Sequence, residues 1–148
     1  MGQEHVEDYL GVIYRLREGA GTPPPLARMQ EYFNYSLISI HEMVQKLESQ
    51  ALVSYTPYHG VVLTDSGEKI ATALVRRHRI WERFLTDILK VSEDVVHTVA
   101  GQLEHAAPEL VTERLAELLG QPDACPHGAV IPSAASEDEN SAIRKIQL

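Results

Sequence analysis

The chain has 148 residues, 44% of them hydrophobic, a single cysteine and a formal net charge of −8, a profile that excludes disordered and fibrous classes. No apolar run approaches the roughly 18 residues of a membrane span, and no signal-like segment opens the sequence. Cys125 alone builds neither a disulfide framework nor a thiolate zinc cluster, so a protein kept in the reducing cytoplasm is expected.

From Glu4 to Glu18, Val6, Tyr9, Leu10, Ile13 and Tyr14 recur at helical spacing. Gly19, Gly21 and the prolines at 23, 24 and 25 end that helix. A short second helix is expected over Leu26–Phe33. After an Asn34-Tyr35 turn a third begins near Ser36, with Ser36 or Ser39 as cap or first-turn residue. Its inward positions are Ile40, Met43, Val44 and Leu47. Leu52–Tyr55 and Val61–Thr64 flank a turn holding Pro57 and Gly60, the pattern of a hairpin. Helix, helix, turn, helix, hairpin is the order of a winged helix-turn-helix; a small α+β domain without a DNA role shares it.

A long helix follows. Asp65 and Glu68 make a capping-box-like start, and Ile70, Leu74, Trp81, Leu85 and Ile88 carry the helix to about Lys90. Ser92-Glu93-Asp94 opens another, with acidic residues where the helix dipole favours them and Val96, Val99, Ala100 and Leu103 on one face. Pro108 is expected at the first position of the last helix, with Leu115, Leu118 and Leu119 facing inward and Gly120 and Pro122 ending it. From Gln121 the sequence is Pro-, Ala-, Ser- and Glu-rich, and mobility is expected there. The fold class is therefore mainly α: a winged helix-turn-helix over 1–64, an all-helical domain suited to dimerisation over 65–132, and a flexible tail over 133–148.

Charge is divided unevenly. Residues 1–90 hold 10 Lys and Arg against 11 Asp and Glu, a net of −1, while residues 91–148 hold 3 against 10, a net of −7. Contact with nucleic-acid phosphates is thus open to the first part only.

His78 and Glu82, four residues apart, share one face of the long helix, and His78 also belongs to its apolar stripe. On the next helix His97, Glu104 and His105 lie two turns apart, and Asp8 sits on the flank of the first helix. If the three helices pack together, these six side chains can converge. Imidazole with carboxylate suits manganese, iron(II) or zinc; a buried histidine with a carboxylate partner, amid ordinary surface charge, uses the same residues. There is no His-Glu-x-x-His helix, no phosphate-cradling glycine loop and no nucleophile elbow. No catalytic residue is assigned, although a metallohydrolase using these carboxylates stays open.

Met43-Val44-Gln45-Lys46-Leu47, Tyr58-His59-Gly60-Val61-Val62-Leu63-Thr64, Arg76-Arg77-His78-Arg79 and Leu103-Glu104-His105 follow in one order, with Cys125-Pro126-His127-Gly128 beyond them. Over about residues 4–132 this pattern resembles the diphtheria toxin repressor family, which includes the manganese transport regulators. The resemblance implies a homodimer that binds double-stranded DNA with two-fold-related half-sites and represses metal-uptake genes when Mn2+ or Fe2+ is bound. It implies that Asp8 matches the first-helix ligand in the aspartate form of the manganese-type members. His78, Glu104 and His105 match ligands found across the family, and Glu82 and His97 match an ancillary site of the iron-type members.

Two positions depart from that pattern. Gly11 stands where manganese-type members have glutamate, and Gly101 where the family supplies glutamate or cysteine. The remaining ligands form a hybrid, with one metal near Asp8, Glu104 and His105 and another near His78, Glu82 and His97. Water would fill the gaps, and His5 could compensate. On the DNA side, Leu37 replaces a common proline and His41 a common threonine. Ser36, Ser39, His41 and Gln45 are the exposed polar positions able to reach base edges or phosphates, with Lys46 and Tyr58 the stronger phosphate candidates. The competing outcome is a winged helix regulator whose metal response has decayed and which binds DNA without metal.

Overall fold

Tyr9, Leu10, Val12 and Ile13 bury one face of the first helix, α1 (Gln3–Ala20), which ends where Gly21 turns left-handed (φ 75°) and donates to the Arg17 carbonyl. The computed structural model describes residues 2–134. Asn34, also left-handed, closes α2 (Leu26–Phe33). Ser36 then caps α3 (Leu37–Ser49), its Oγ accepting from the Ser39 N–H at 3.1 Å. Strands β1 (Val53–Thr56) and β2 (Gly60–Leu63) pair antiparallel, from Val53 opposite Leu63 to Thr56 opposite Gly60. This is the expected winged helix-turn-helix, and its core joins Leu10, Ile13, Met29, Ile40, Val44, Leu47 and Val61. The wing is tied down beside its turn, because the Val61 N–H donates to the Pro24 carbonyl.

Helix α4 (Asp65–Asp87) starts differently from the expected capping box. Thr64 is the cap: its Oγ1 accepts from the Gly67 N–H at 3.1 Å and donates to the Ala51 carbonyl at 2.7 Å. Glu68 is drawn instead to Arg17, in a two-pronged pair at 2.7 and 2.8 Å. The Arg17 hydrogen bonds hold the Glu68 carboxyl below its ordinary value of 4.5, against an opposing push from burial. A depressed carboxyl stabilises the fold above its unfolded value and ceases to do so as pH falls through the lower folded value. Glu68→Gln is therefore expected to cost under about 1 kcal/mol at pH 7, since the pair is part-exposed. In urea titrations that deficit should shrink as pH falls below the ordinary carboxylate range; a deficit independent of pH would remove the pair from the account.

The chain divides into two compact units, the first ending at Thr72 and the second beginning at Ala73 within α4. In the second unit, Leu85 of α4 packs with Val96 and Ala100 of α5 (Glu93–Ala106). Ile80 packs with Leu115 and Ala116 of α6 (Glu109–Leu118) and with Ile131. Three details differ from expectation. Helix α4 stops at Asp87, leaving Ile88 and Leu89 exposed. Pro108 is extended and precedes α6 as its cap residue. Leu118 is exposed, because Thr112, Leu115 and Ala116 already define the inward face at i, i+3 and i+4.

The stretch after Gln121, expected to be mobile, is a hydrogen-bonded loop. Ala124 pairs with Val130, the Cys125 N–H donates to Ala129 O, and the Ile131 N–H donates to Asp123 O. Two buried guanidinium groups of α4 hold its far end, Arg79 on the Val130 carbonyl (2.6 Å) and Arg76 on that of Pro132 (2.8 Å). Arg76 is itself fixed by a two-pronged pair with Glu113. The tail expected over 133–148 lies, from residue 135 on, outside the described residues. Among the described residues, no helix is long and apolar enough to cross a membrane.

Candidate metal centre

His78 is 3% exposed, as its place in the apolar stripe of α4 requires, and both of its ring nitrogens are engaged. Nδ1 lies 2.5 Å from Glu104 Oε2 on α5. Nε2 lies 3.1 Å from Glu82 Oε1, one turn along α4, and 3.0 Å from His97 Nδ1 on α5. A carboxylate oxygen only accepts, so a protonated His78 donates from Nδ1 to Glu104 and from Nε2 to Glu82, and a cation on the Glu82 side would take the place of the Nε2 proton. The α5 backbone is secured beside this contact, since Arg77 Nε donates to the Glu104 carbonyl at 2.8 Å. His105 Nε2 lies 3.4 Å from Glu104 Oε1.

Glu82 faces a second imidazole with its other oxygen. His127 Nδ1, on the loop clamped by Arg76 and Arg79, is 3.2 Å from Glu82 Oε2. The contact is an ion-pair distance without hydrogen-bond alignment, and Oε2 is buried with no hydrogen-bond partner. Ligand atoms of His78, Glu82 and His97 lie mutually within 4.8 Å, and so do those of Glu82, Cys125 and His127. Burial would raise the Glu82 carboxyl, but the His78 hydrogen bond and the neighbouring charges of His78, His127 and His97 outweigh it and hold the group below the usual range. An ionised, buried oxygen without a donor, among imidazoles and a thiol, fits a divalent cation.

The predicted residues therefore fall as follows. His78, Glu82 and His97 come together. Glu104 and His105 adjoin each other, and Glu104 touches His78, so these five residues form one continuous network. Asp8 is half-buried on α1, in the first unit. A Cβ at Gly101 would meet nothing within 4 Å. Cys125 and His127 carried no predicted role. Their signal is the Cys-Pro-His-Gly tetrapeptide, which belongs to the family pattern but has no helical spacing to connect it with Glu82.

On the first unit Ser36, Ser39, His41, Gln45, Lys46 and Tyr58 are all exposed, Tyr58 at the wing tip most of all. The Ser36 and Ser39 hydroxyls bond each other at 2.9 Å, and the His41 ring meets Tyr55 edge-on.

Two family models match the two parts of the chain. The family model described as iron dependent repressor, N-terminal DNA binding domain, matches residues 1–61. A second, described as iron dependent repressor, metal binding and dimerisation domain, matches residues 64–133. The diphtheria toxin repressor of Corynebacterium efficiens is 34% identical, over 96% of this chain and 64% of that protein. The iron-dependent repressor IdeR of Mycobacterium tuberculosis is 34% identical, over 85% and 54%. A solved structure of the manganese regulator SloR superposes with a TM-score of 0.77 at 36% identity, covering 88% of this chain and 60% of that one. A manganese-dependent transcriptional repressor in complex with manganese also gives 0.77, at 37% identity, over 87% and 59%. The chain thus spans less than two thirds of the length of these relatives.

Proposed function

The chain belongs to the iron-dependent repressor family, with both its DNA-binding and its metal-binding and dimerisation domains, and we propose that it is a DNA-binding repressor of metal-homeostasis genes that responds to Mn2+ or Fe2+. The observation that carries the metal half is the meeting of the buried His78 Nε2 and Glu82 Oε1 with Nδ1 of the exposed His97. In this reading His78, Glu82 and His97 hold one ion, with Cys125 and His127 offering further ligands through the other Glu82 oxygen. Glu104 orients His78 and, with His105 and Asp8, belongs to the ligand set that the family pattern assigns. A bound divalent ion would supply positive charge and directional ligand bonds. Glu82 would meet it ionised, and Glu104, accepting from His78 Nδ1, leaves Nε2 as the ring nitrogen at which an ion would replace a proton.

The DNA half rests on α3 and the wing. With few cations in the first unit, affinity rests on a homodimer reading two half-sites of double-stranded DNA. The reading places the protein in the cytoplasm with its DNA and assigns no catalytic residue.

The test is fluorescence anisotropy on duplex DNA from its own upstream region, at fixed salt. It is run with chelator, with manganese, and with iron(II) under anaerobic conditions. Binding that requires metal supports the reading and tells manganese from iron. Equal binding with chelator means DNA recognition independent of metal. An ion that binds competent and incompetent forms equally shifts nothing, so the response needs a ligand that couples the units. Asp8 is the one assigned ligand in the first unit. Asp8→Ala is therefore expected to keep metal binding by the second unit while losing at least tenfold of the metal-stimulated DNA affinity, roughly the 1–3 kcal/mol of a typical coupling. Undiminished stimulation would release Asp8 from that role.

A further inference from the structure

We propose that Ile38 and Glu42 are the base-reading side chains of α3, Ile38 meeting the 5-methyl group of a thymine and Glu42 accepting from the amino group of a cytosine. The inference rests on the DNA-binding reading above and deepens it. Helix α3 buries Ile40, Met43, Val44 and Leu47. At 3.6 residues per turn, the line diametrically opposite that face runs through Ile38, Glu42, Gln45 and Ser49. Ser39 and Lys46 fall on one flank and His41 on the other, so the outermost ridge includes two residues, Ile38 and Glu42, that are not among the contacts expected from the sequence. Ile38 is the second residue of the helix and 72% exposed. Residues at the N-terminus of a recognition helix are the ones that meet base edges.

The chemistry of each side chain narrows its partner. A β-branched aliphatic group held out in water on this ridge gains from burial only against an apolar surface, and the major groove presents one such group at its base edges, the thymine methyl. Glu42 is exposed, and among the described residues it makes no ion pair. A carboxylate brought against phosphates is repelled unless it accepts a hydrogen bond from a base, and the donor that pairs with Glu or Asp is cytosine N4. Ile38 and Glu42 lie one turn apart on the same line, about 6 Å along the axis. Their two bases should therefore lie within about two base steps of each other.

The experiment begins with selection from random duplexes by the full-length protein in the presence of manganese. Deoxyuridine is then substituted for each thymidine of the enriched half-site in turn, with affinity read by anisotropy. One thymine methyl is expected to matter, its loss weakening binding about fourfold per half-site. Ile38→Ala, at an exposed position that leaves the core untouched, should bind the thymidine and deoxyuridine duplexes equally. Glu42→Ala should lose the preference for cytosine within two base pairs of that thymine. Indifference of the wild type to every thymine methyl, or a cytosine preference that survives Glu42→Ala, overturns the assignment while leaving DNA binding intact. Failure of the wild type to enrich any sequence overturns the DNA-binding reading as well.

Discussion

Glu82→Ala is expected to lower affinity for manganese or iron(II) by about a hundredfold or more and to remove metal-stimulated DNA binding. Loss of a partner that merely orients a ligand already costs 10–100-fold in metal affinity, so loss of a direct carboxylate ligand should reach at least the upper end. Glu82 is the residue common to both ligand groups, with one oxygen toward His78 and the other toward His127. It is also buried, so its deletion leaves the buried His78 without its carboxylate partner and destabilises the second unit independently of metal. Glu82→Gln separates the two effects, because it retains the shape and one hydrogen-bond acceptor while removing the charge. Trp81, the only tryptophan of the chain, adjoins Glu82 in sequence and gives a fluorescence signal for metal titration. The expected result is a folded Glu82→Gln protein with metal affinity lowered nearly as far as in Glu82→Ala. His97→Ala and His127→Ala then show which group holds the tighter ion. Wild-type affinity in both Glu82 variants would dismiss this centre.

What could be read in the sequence, and what could not, follows the range of the interactions involved. The limits of α2 rest on neighbours, a proline run before and Asn34 after, and they emerged residue for residue. The meeting of His78 with Glu82 needed only helical spacing, and its extension to His97 only the packing of consecutive helices. The loop bearing Cys125 and His127 was hidden because the bonds that order it join residues 51 and 56 apart. Local composition there favours mobility, and no local pattern encodes two guanidinium groups placed on α4 to receive its carbonyls. The cap of α4 failed for the same reason. Thr64 and Asp65 are both good capping residues, and the choice between them was decided by the Ala51 carbonyl and by Arg17, 51 residues from Glu68. Leu118 shows a subtler limit, in which three leucines near one end of a short helix offer two possible faces and packing selects one.

Gly67→Ala is expected to destabilise the first unit by about 3 kcal/mol or more, although alanine in place of a helical glycine ordinarily gains up to about 1 kcal/mol. The reversal comes from one contact. A Cβ built at Gly67 would lie 2.0 Å from the Leu52 carbonyl oxygen and 3.4 Å from the Leu63 side chain. That carbonyl cannot swing aside, because it accepts the Thr64 N–H at 3.0 Å, and Thr64 in turn holds Ala51 and caps α4. The glycine therefore lets the first turn of α4 sit directly on the base of the hairpin, and a methyl group there must push helix and wing apart. Gly101 on α5 supplies the control, since a Cβ there meets nothing within 4 Å. Gly101→Ala should follow the ordinary rule and be neutral or stabilising by up to about 1 kcal/mol. Urea unfolding followed by circular dichroism measures both. Because Gly67 seats the wing, its variant should also lose DNA affinity under conditions where the second unit still binds metal. If Gly67→Ala proved as stable as the parent, the close seating of α4 on the hairpin would be wrong.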